Sequence, residues 1–456
     1  MTLEGAVRRG DRAPGSHGGP ADIWRQTLLL CCLIGTTQMT WGTIVPALPL
    51  YIDRFGGTAL VLGPIIAAFG VGRAVANIPA GLALRWWRPR TYLRVVCVLL
   101  VAVTAVTGLS PDAGVLIAAR VVAGVLGGAG VTIGFAVLVA GAPHALRGRI
   151  MATATAVQMS AGALGAFLGG LVLTWFPLEV AFAVASLPLA LCLVWDAIAP
   201  ASHYWRSLRT RDVAEGATGG TGDVARVASA GLLWIVAALA INSFATFFAR
   251  FGGEQGLIPL LGYERGGLTP LTLGVALAAA TLVSLAAMPV VGAIIDRGRR
   301  LAVLLPGSIA AAGALLLFPL AHDPWLFAVV VVLYGLASSV AGVVPAVVMS
   351  EAVPARHSGF VVGLTRTAGD VGAVVGPLLA FTVFDARGAW PAVSVIAGVL
   401  LVSALLLVRV AGPLLAFAVY DSLGAWAAVA AIAAVLIVAN AFLIRVARSS
   451  RALPIP

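Results

Sequence analysis

Lysine is absent from this chain. Every one of the 29 basic residues among its 456 is arginine, set against 18 acids for a formal net charge of +11. Charged residues make up only 10% of the chain, while 61% is apolar and the mean hydropathy is +1.04. That shortage of charge excludes a soluble globular protein. Catalytic signatures are missing too. The five histidines fall in loops or tails. No HExxH, paired-carboxylate site, nucleophile elbow or phosphate loop occurs, so the sequence points to no enzyme, metal or cofactor. Nor does any stretch interleave basic and aromatic residues as a nucleic-acid groove requires. Cys31, Cys32, Cys97 and Cys192 all lie in apolar runs and are expected to act as small hydrophobes without a disulfide.

What is present is long apolar runs. They fall at about 26–52, 59–84, 92–110, 113–142, 152–175, 178–200, 228–251, 270–295, 301–321, 325–349, 360–384 and 390–411. A run of about 20 residues at 1.5 Å rise crosses the hydrocarbon core, so these are twelve expected membrane spans. The polar 24 residues ahead of the first run, and the length of that run, argue for a retained span rather than a cleaved signal.

Arginine sorts by side. With the N-terminus placed inside, the inner set is Arg8, Arg9, Arg12, Arg25, Arg85, Arg88, Arg90, Arg94, Arg147, Arg149, Arg206, Arg209, Arg211, Arg226, Arg297, Arg299, Arg300 and Arg356. The outer set is Arg54, Arg250, Arg265 and Arg387. This bias places the N-terminus in the cytoplasm and the chain in the cell membrane, with the arginines meeting anionic lipid.

The domain plan follows. Residues 1–24 are a cytoplasmic tail, 25–200 a six-helix bundle, 201–227 a flexible linker, and 228–411 a second six-helix bundle. The halves are related: Ile44-Val-Pro46-Ala-Leu-Pro-Leu-Tyr51 recurs as Leu257-Ile-Pro259-Leu-Leu-Gly-Tyr263, and Thr58–Gly63 as Thr269–Gly274. Residues 376–390 repeat at 412–426, so 412–447 reads as a duplicated half-span plus span, followed by a tail at 448–456.

Between two spans lies Gly292-Ala-Ile-Ile-Asp296-Arg297-Gly-Arg299-Arg300, a tight basic turn in which Asp296 is expected to pair with a guanidinium or face the next helix N-terminus. The fourth run carries Arg120-Val-Val-Ala-Gly124. The fifth carries Gly162-Ala-Leu-Gly165-Ala-Phe-Leu-Gly169-Gly170, and the eleventh Gly372-Ala-Val-Val-Gly376-Pro377. Together these motifs resemble the major facilitator superfamily over about 25 to 411, and its drug:proton antiporter branch. Arg85 stands where the first copy of the loop would carry its acid. The resemblance implies an all-α polytopic fold of two six-helix bundles, an alternating-access transporter, and a coupling role for Arg120. It also implies small-molecule and proton partners and a monomer.

Few ionisable groups sit in the runs, and such groups are functional candidates because hydrocarbon disfavours them. Asp370 and Arg366, four apart in the eleventh, read either as a proton-titrating carboxylate beside an arginine or as a fixed ion pair. Arg73 reads as structural, reaching for a cytoplasmic or interhelical partner. Thr37, Gln38 and Trp41 are cavity-lining candidates in the first run, with Gln158 and Asn242 as single polar groups in the fifth and seventh. Gly124, Gly162, Gly165, Gly169 and Gly376 are expected to let helices approach closely. Two functions remain: proton-coupled export of a hydrophobic small molecule, and proton-coupled uptake of an anionic metabolite.

Overall fold

The computed structural model describes residues 20–83, 86–143, 146–207, 230–353 and 355–423. Among these, twelve helices are long and apolar enough to cross a membrane, and no strand occurs. The first half comprises α1 (Pro20–Gly42), short α2 (Leu50–Phe55), α3 (Leu62–Ala83), α4 (Pro89–Thr107), α5 (Ala113–Gly141), α6 (Arg147–Trp175) and α7 (Leu178–Ile198). Short α8 (Ser202–Ser207) follows. The second half comprises α9 (Ala230–Ala249), a π-helical turn (Arg250–Leu257), α10 (Ile258–Glu264), α11 (Pro270–Asp296), α12 (Leu301–Leu317), α13 (Pro324–Ala352), α14 (Ala355–Arg387) and α15 (Ala389–Leu423). Each half is a six-helix bundle.

Local chemistry sets the helix ends. Asp112, Thr269 and Asp323 each accept a hydrogen bond from a first-turn amide of α5, α11 and α13. Thr58 and Thr269, equivalent in the internal repeat, are both N-caps. Gly298 takes φ 78°, a left-handed value that turns α11 into α12 within a few residues.

All these connections alternate between two ends. One end gathers the arginine-rich loops near residues 83–89, 142–149 and 296–301; the other is arginine-poor. Exposed Trp86, Trp87 and Trp234 ring the first, and Trp175, Trp325 and Trp390 the second. Amphipathic indoles collect at membrane–water boundaries, so these rings mark the two faces.

The span limits depart from the sequence reading in the seventh run. Its helix does not stop near 251 but continues through the π turn to Glu264. Arg250 and Glu254 therefore lie within a span, not in a loop. At the far end, α15 runs unbroken past Gly412-Pro413 to Leu423. The expected extra span at 425–444 and Arg85 lie outside the described residues.

The bundles are built on glycine. A Cβ on Gly165 would sit 2.6 Å from the Met39 carbonyl, and one on Gly169 would collide with that of Thr43, so α1 and α6 touch backbone to backbone. In the second half, a Cβ on Gly376 would lie 2.5 Å from the Phe248 carbonyl. On Gly124 it would overlap the Phe69 carbonyl. Lipid supplies no hydrophobic drive between helices, so such close contact is what holds them.

Candidate substrate and coupling site

Two helix pairs join the halves, α3 with α14 and α6 with α11. Both seams lie toward the arginine-poor end. A Cβ on Gly63 of α3 would lie 3.2 Å from the Pro377 carbonyl of α14, and one on Gly274 of α11 would lie 2.5 Å from that of Ala166 of α6. Gly63 and Gly274 are repeat equivalents, so the seams are related by the internal symmetry.

Along α14 the seam follows Pro377, Ala373 and Asp370, at helical spacing on one face. Ala373 and Asp370 are wholly buried at 0% exposure. One turn further, toward the arginine-rich end, Arg366 continues the same face and is exposed. On α6, Ala166 is buried, while Met159 and Thr155, further along its face, are exposed. The halves are thus closed at the arginine-poor end and part at the level of Arg366.

At that level sits an ion pair across the halves. Arg73 of α3 donates from Nε to Asp370 Oδ1 at 2.8 Å, and its Nη2 reaches the same oxygen. The guanidinium also lies over the rings of Phe247 and Phe251, 5.0 and 5.6 Å from their centroids. Gly128 makes room for it: a Cβ there would lie 2.8 Å from Arg73 Cγ. The seam partner of Asp370 is therefore Arg73, 297 residues away, rather than Arg366 on its own helix. Arg366 nonetheless stands close enough for the charges of both Arg73 and Asp370 to act on it.

A second link lies deeper in the closed end. The Trp41 Nε1–H donates to Gln255 Oε1 at 2.6 Å, joining α1 to the π turn. Its indole stacks on Phe69 at 4.5 Å and leans on Phe251 at 5.7 Å. Tyr263 donates its hydroxyl to the Pro46 carbonyl at 2.7 Å, again across the halves. Behind Trp41 stands Arg120, only 1% exposed. Its guanidinium lies 5.9 Å from the Trp41 ring and 5.6 Å from Phe182, and its Nε bonds to nothing. Tyr51 packs edge-on against Phe182 with its own hydroxyl unpartnered. Burial raises the Tyr51 phenol above the ordinary tyrosine range.

The other candidates scatter. Thr37 is buried and donates to the Ile34 carbonyl on its own helix. Trp41 is sealed in the closed end rather than lining open space. Asn242 donates to Ser403 Oγ at 3.4 Å beside a cavity of about 30 Å³ inside the second bundle, away from the seams. Gln38 and Gln158 are half-buried, and Gln158 is on the α6 face that turns toward the opening. A Cβ on Gly162 would meet nothing within 4 Å; its carbonyl instead receives Gly42.

The basic turn offers Asp296 either a guanidinium or the next helix N-terminus. Asp296 is exposed with no ion pair among the described residues, as are Arg297 and Arg299. Arg300 bonds instead to Glu351 at the end of α13, from Nη2 to Oε1 at 2.5 Å. Gly292 has open space around it.

The family model of the Major Facilitator Superfamily matches residues 30–377 and again 244–411. The chain belongs to this superfamily. It is accordingly a membrane transporter. Among curated proteins it is 34% identical over 125 residues to "Multidrug resistance protein MdtG" of Citrobacter koseri, covering 27% of this chain and 30% of that one. The protein of the same name from Salmonella typhi is 32% identical over 125 residues, 27% of this chain and 31% of that one. These matches thus span under a third of the relatives' length. Among solved structures, the human organic anion transporter MFSD10 (TETRAN) superposes with a TM-score of 0.59 over 84% of this chain and 99% of its own. At 20% identity, that likeness concerns the fold.

Three residues at the seams, and one acid away from them, escaped the sequence reading. Phe247, Phe251 and Gln255 recur every fourth residue along one face of the seventh span, a stripe legible in hindsight. Asp196, the acid of the sixth span, is buried beneath Arg94, whose Nε donates to its Oδ2 at 2.6 Å.

Proposed function

We propose that this transporter exports a hydrophobic small molecule in exchange for protons, with Asp370 as the coupling group. The observation that carries the reading is the Arg73–Asp370 pair, the link between the halves at the point where they part. With the arginine-rich end cytoplasmic, as the distribution of arginine supports, the conformation is open to the cytoplasm. Breaking a buried ion pair by itself costs about 3–5 kcal/mol, so the halves separate at the outer end most readily when Asp370 is neutralised. In the cycle we propose, outward opening pulls Asp370 from Arg73 and exposes it to a proton. Return to the inward state lets Arg73 reclaim the carboxylate and displaces the proton to the cytoplasm. Substrate occupies the opening beside Phe247 in between. The name carried by the partial relatives supports the outward direction.

The test is flux into inverted membrane vesicles acidified inside, with fluorescent amphiphiles as probes. Accumulation should collapse with a protonophore and vanish in Asp370→Asn. Full proton-driven transport by Asp370→Asn would sink the coupling scheme. Uptake of an anionic metabolite is the second reading, favoured by exposed Arg366 at the mouth. It predicts that an inward proton gradient accelerates entry instead.

A further inference from the structure

The charges at the parting of the halves do not balance. Two guanidiniums, Arg73 and Arg366, stand by one carboxylate, Asp370, and a third, Arg120, is buried behind Trp41. Arg73 spends both Nε and Nη2 on that carboxylate. Arg120 is enclosed by Trp41 and Phe182, with no acid within ion-pair distance among the described residues. Arg366 is exposed one turn from Asp370 and feels that carboxylate, which Arg73 already holds by two hydrogen bonds. In the seventh span, Arg250 and Glu254 are one cation and one anion and leave the balance unchanged. The site is therefore positive whether or not Asp370 holds a proton.

Resting on the export reading above, we infer that the transported amphiphile is an anion, a carboxylate on an apolar body, and that Arg366 is its recognition residue. Charges interact strongly in a low-dielectric cleft, so a lipophilic cation entering it meets uncompensated guanidinium, while an anion supplies the missing counter-charge. The planar fork of arginine fits the two oxygens of a carboxylate. The apolar body has surfaces to meet on either side: Phe247, whose face already holds Arg73 at 5.0 Å, and exposed Met159 of α6. Arg366 lies one helical turn from Asp370, so a carboxylate on Arg366 draws close to Arg73 as well. The bound anion then competes with Asp370 for that guanidinium, which ties substrate arrival to release of the pair across the halves.

Three dyes of one skeleton test this: dansylglycine (anionic), dansylamide (neutral) and dansylcholine (cationic). Their fluorescence is titrated against the full chain purified in detergent. Dansylglycine should bind about tenfold or more tighter than dansylamide, the scale of one charge-assisted hydrogen-bonded contact, and dansylcholine weakest. Arg366→Gln should erase the anion preference, and its unfolding temperature in detergent reports whether the variant is folded. Arg366→Lys should keep part of the preference. Equal or tighter binding of the cation, a preference that survives Arg366→Gln, or no binding of any of the three overturns the inference. Binding with the expected preference but no proton-driven accumulation in vesicles would remove the export reading and leave anion recognition standing. Accumulation of dansylamide without any preference would do the reverse.

Discussion

The indole N–H of Trp41 donates to the side-chain carbonyl of Gln255 at 2.6 Å, and the two residues belong to opposite halves. Both are buried, and Phe69 and Phe251 flank the indole, so the bond works in a dry setting. A hydrogen bond of this kind contributes about 0.5–1.5 kcal/mol. Gln255→Leu should therefore raise the population open at the arginine-poor end by roughly two- to tenfold. A cysteine at Ala373, in a chain whose other cysteines are removed, should then react severalfold faster with a membrane-impermeant maleimide. An unchanged labelling rate would show that the seal rests on the aromatic stack alone.

Arg73 and buried Asp370 form a part-buried pair, so single and double replacements should diverge. Arg73→Leu or Asp370→Leu alone breaks the pair and should cost up to about 3–5 kcal/mol of stability. The double replacement should recover most of that loss. Thermal unfolding in detergent measures all three, and a double variant as unstable as the sum of the singles would show that the two groups do not interact.

Arg120 is buried with an unpartnered Nε, a placement that costs stability. Arg120→Met should unfold at the same temperature as the parent chain or higher, while flux falls. A large drop in unfolding temperature would mean that the contacts to Trp41 and Phe182 outweigh the burial cost, giving the arginine a structural role.

The glycines of α6 look alike in sequence and differ in space. Gly169→Ala would force a methyl into the Thr43 carbonyl and should cost about 1–3 kcal/mol or more through overpacking. Gly162→Ala meets nothing within 4 Å and should change stability by less than about 0.5 kcal/mol. The same unfolding assay separates them.

The twelve spans were legible because hydrocarbon thickness fixes a length and forbids charge, and both leave their mark on composition. The repeat was legible too, and Thr58 and Thr269 cap helices as its alignment implies. Partners across the seams were not. Asp370 had Arg366 within reach on its own helix, yet its seam partner sits 297 residues away, because the packing of α3 on α14 brings Arg73 to it. Residues 250–257 read as the end of a run because Gly252, Gly253 and Gly256 look like loop chemistry. The π turn uses that latitude to carry Gln255 to Trp41. The threonines of α1 were polar letters in an apolar stretch, but Thr36, Thr37, Thr40 and Thr43 all bond to carbonyls of their own helix.

The surplus of guanidinium where the halves part has an electrical consequence. If one monovalent anion leaves as one proton enters, each cycle shifts two elementary charges in the same sense. An inside-negative potential of 100 mV then adds about 4–5 kcal/mol to the exchange, at about 2.3 kcal/mol per charge. Such a carrier would run on voltage even where the pH on the two sides is equal, and a potassium diffusion potential imposed on vesicles would be enough to drive it.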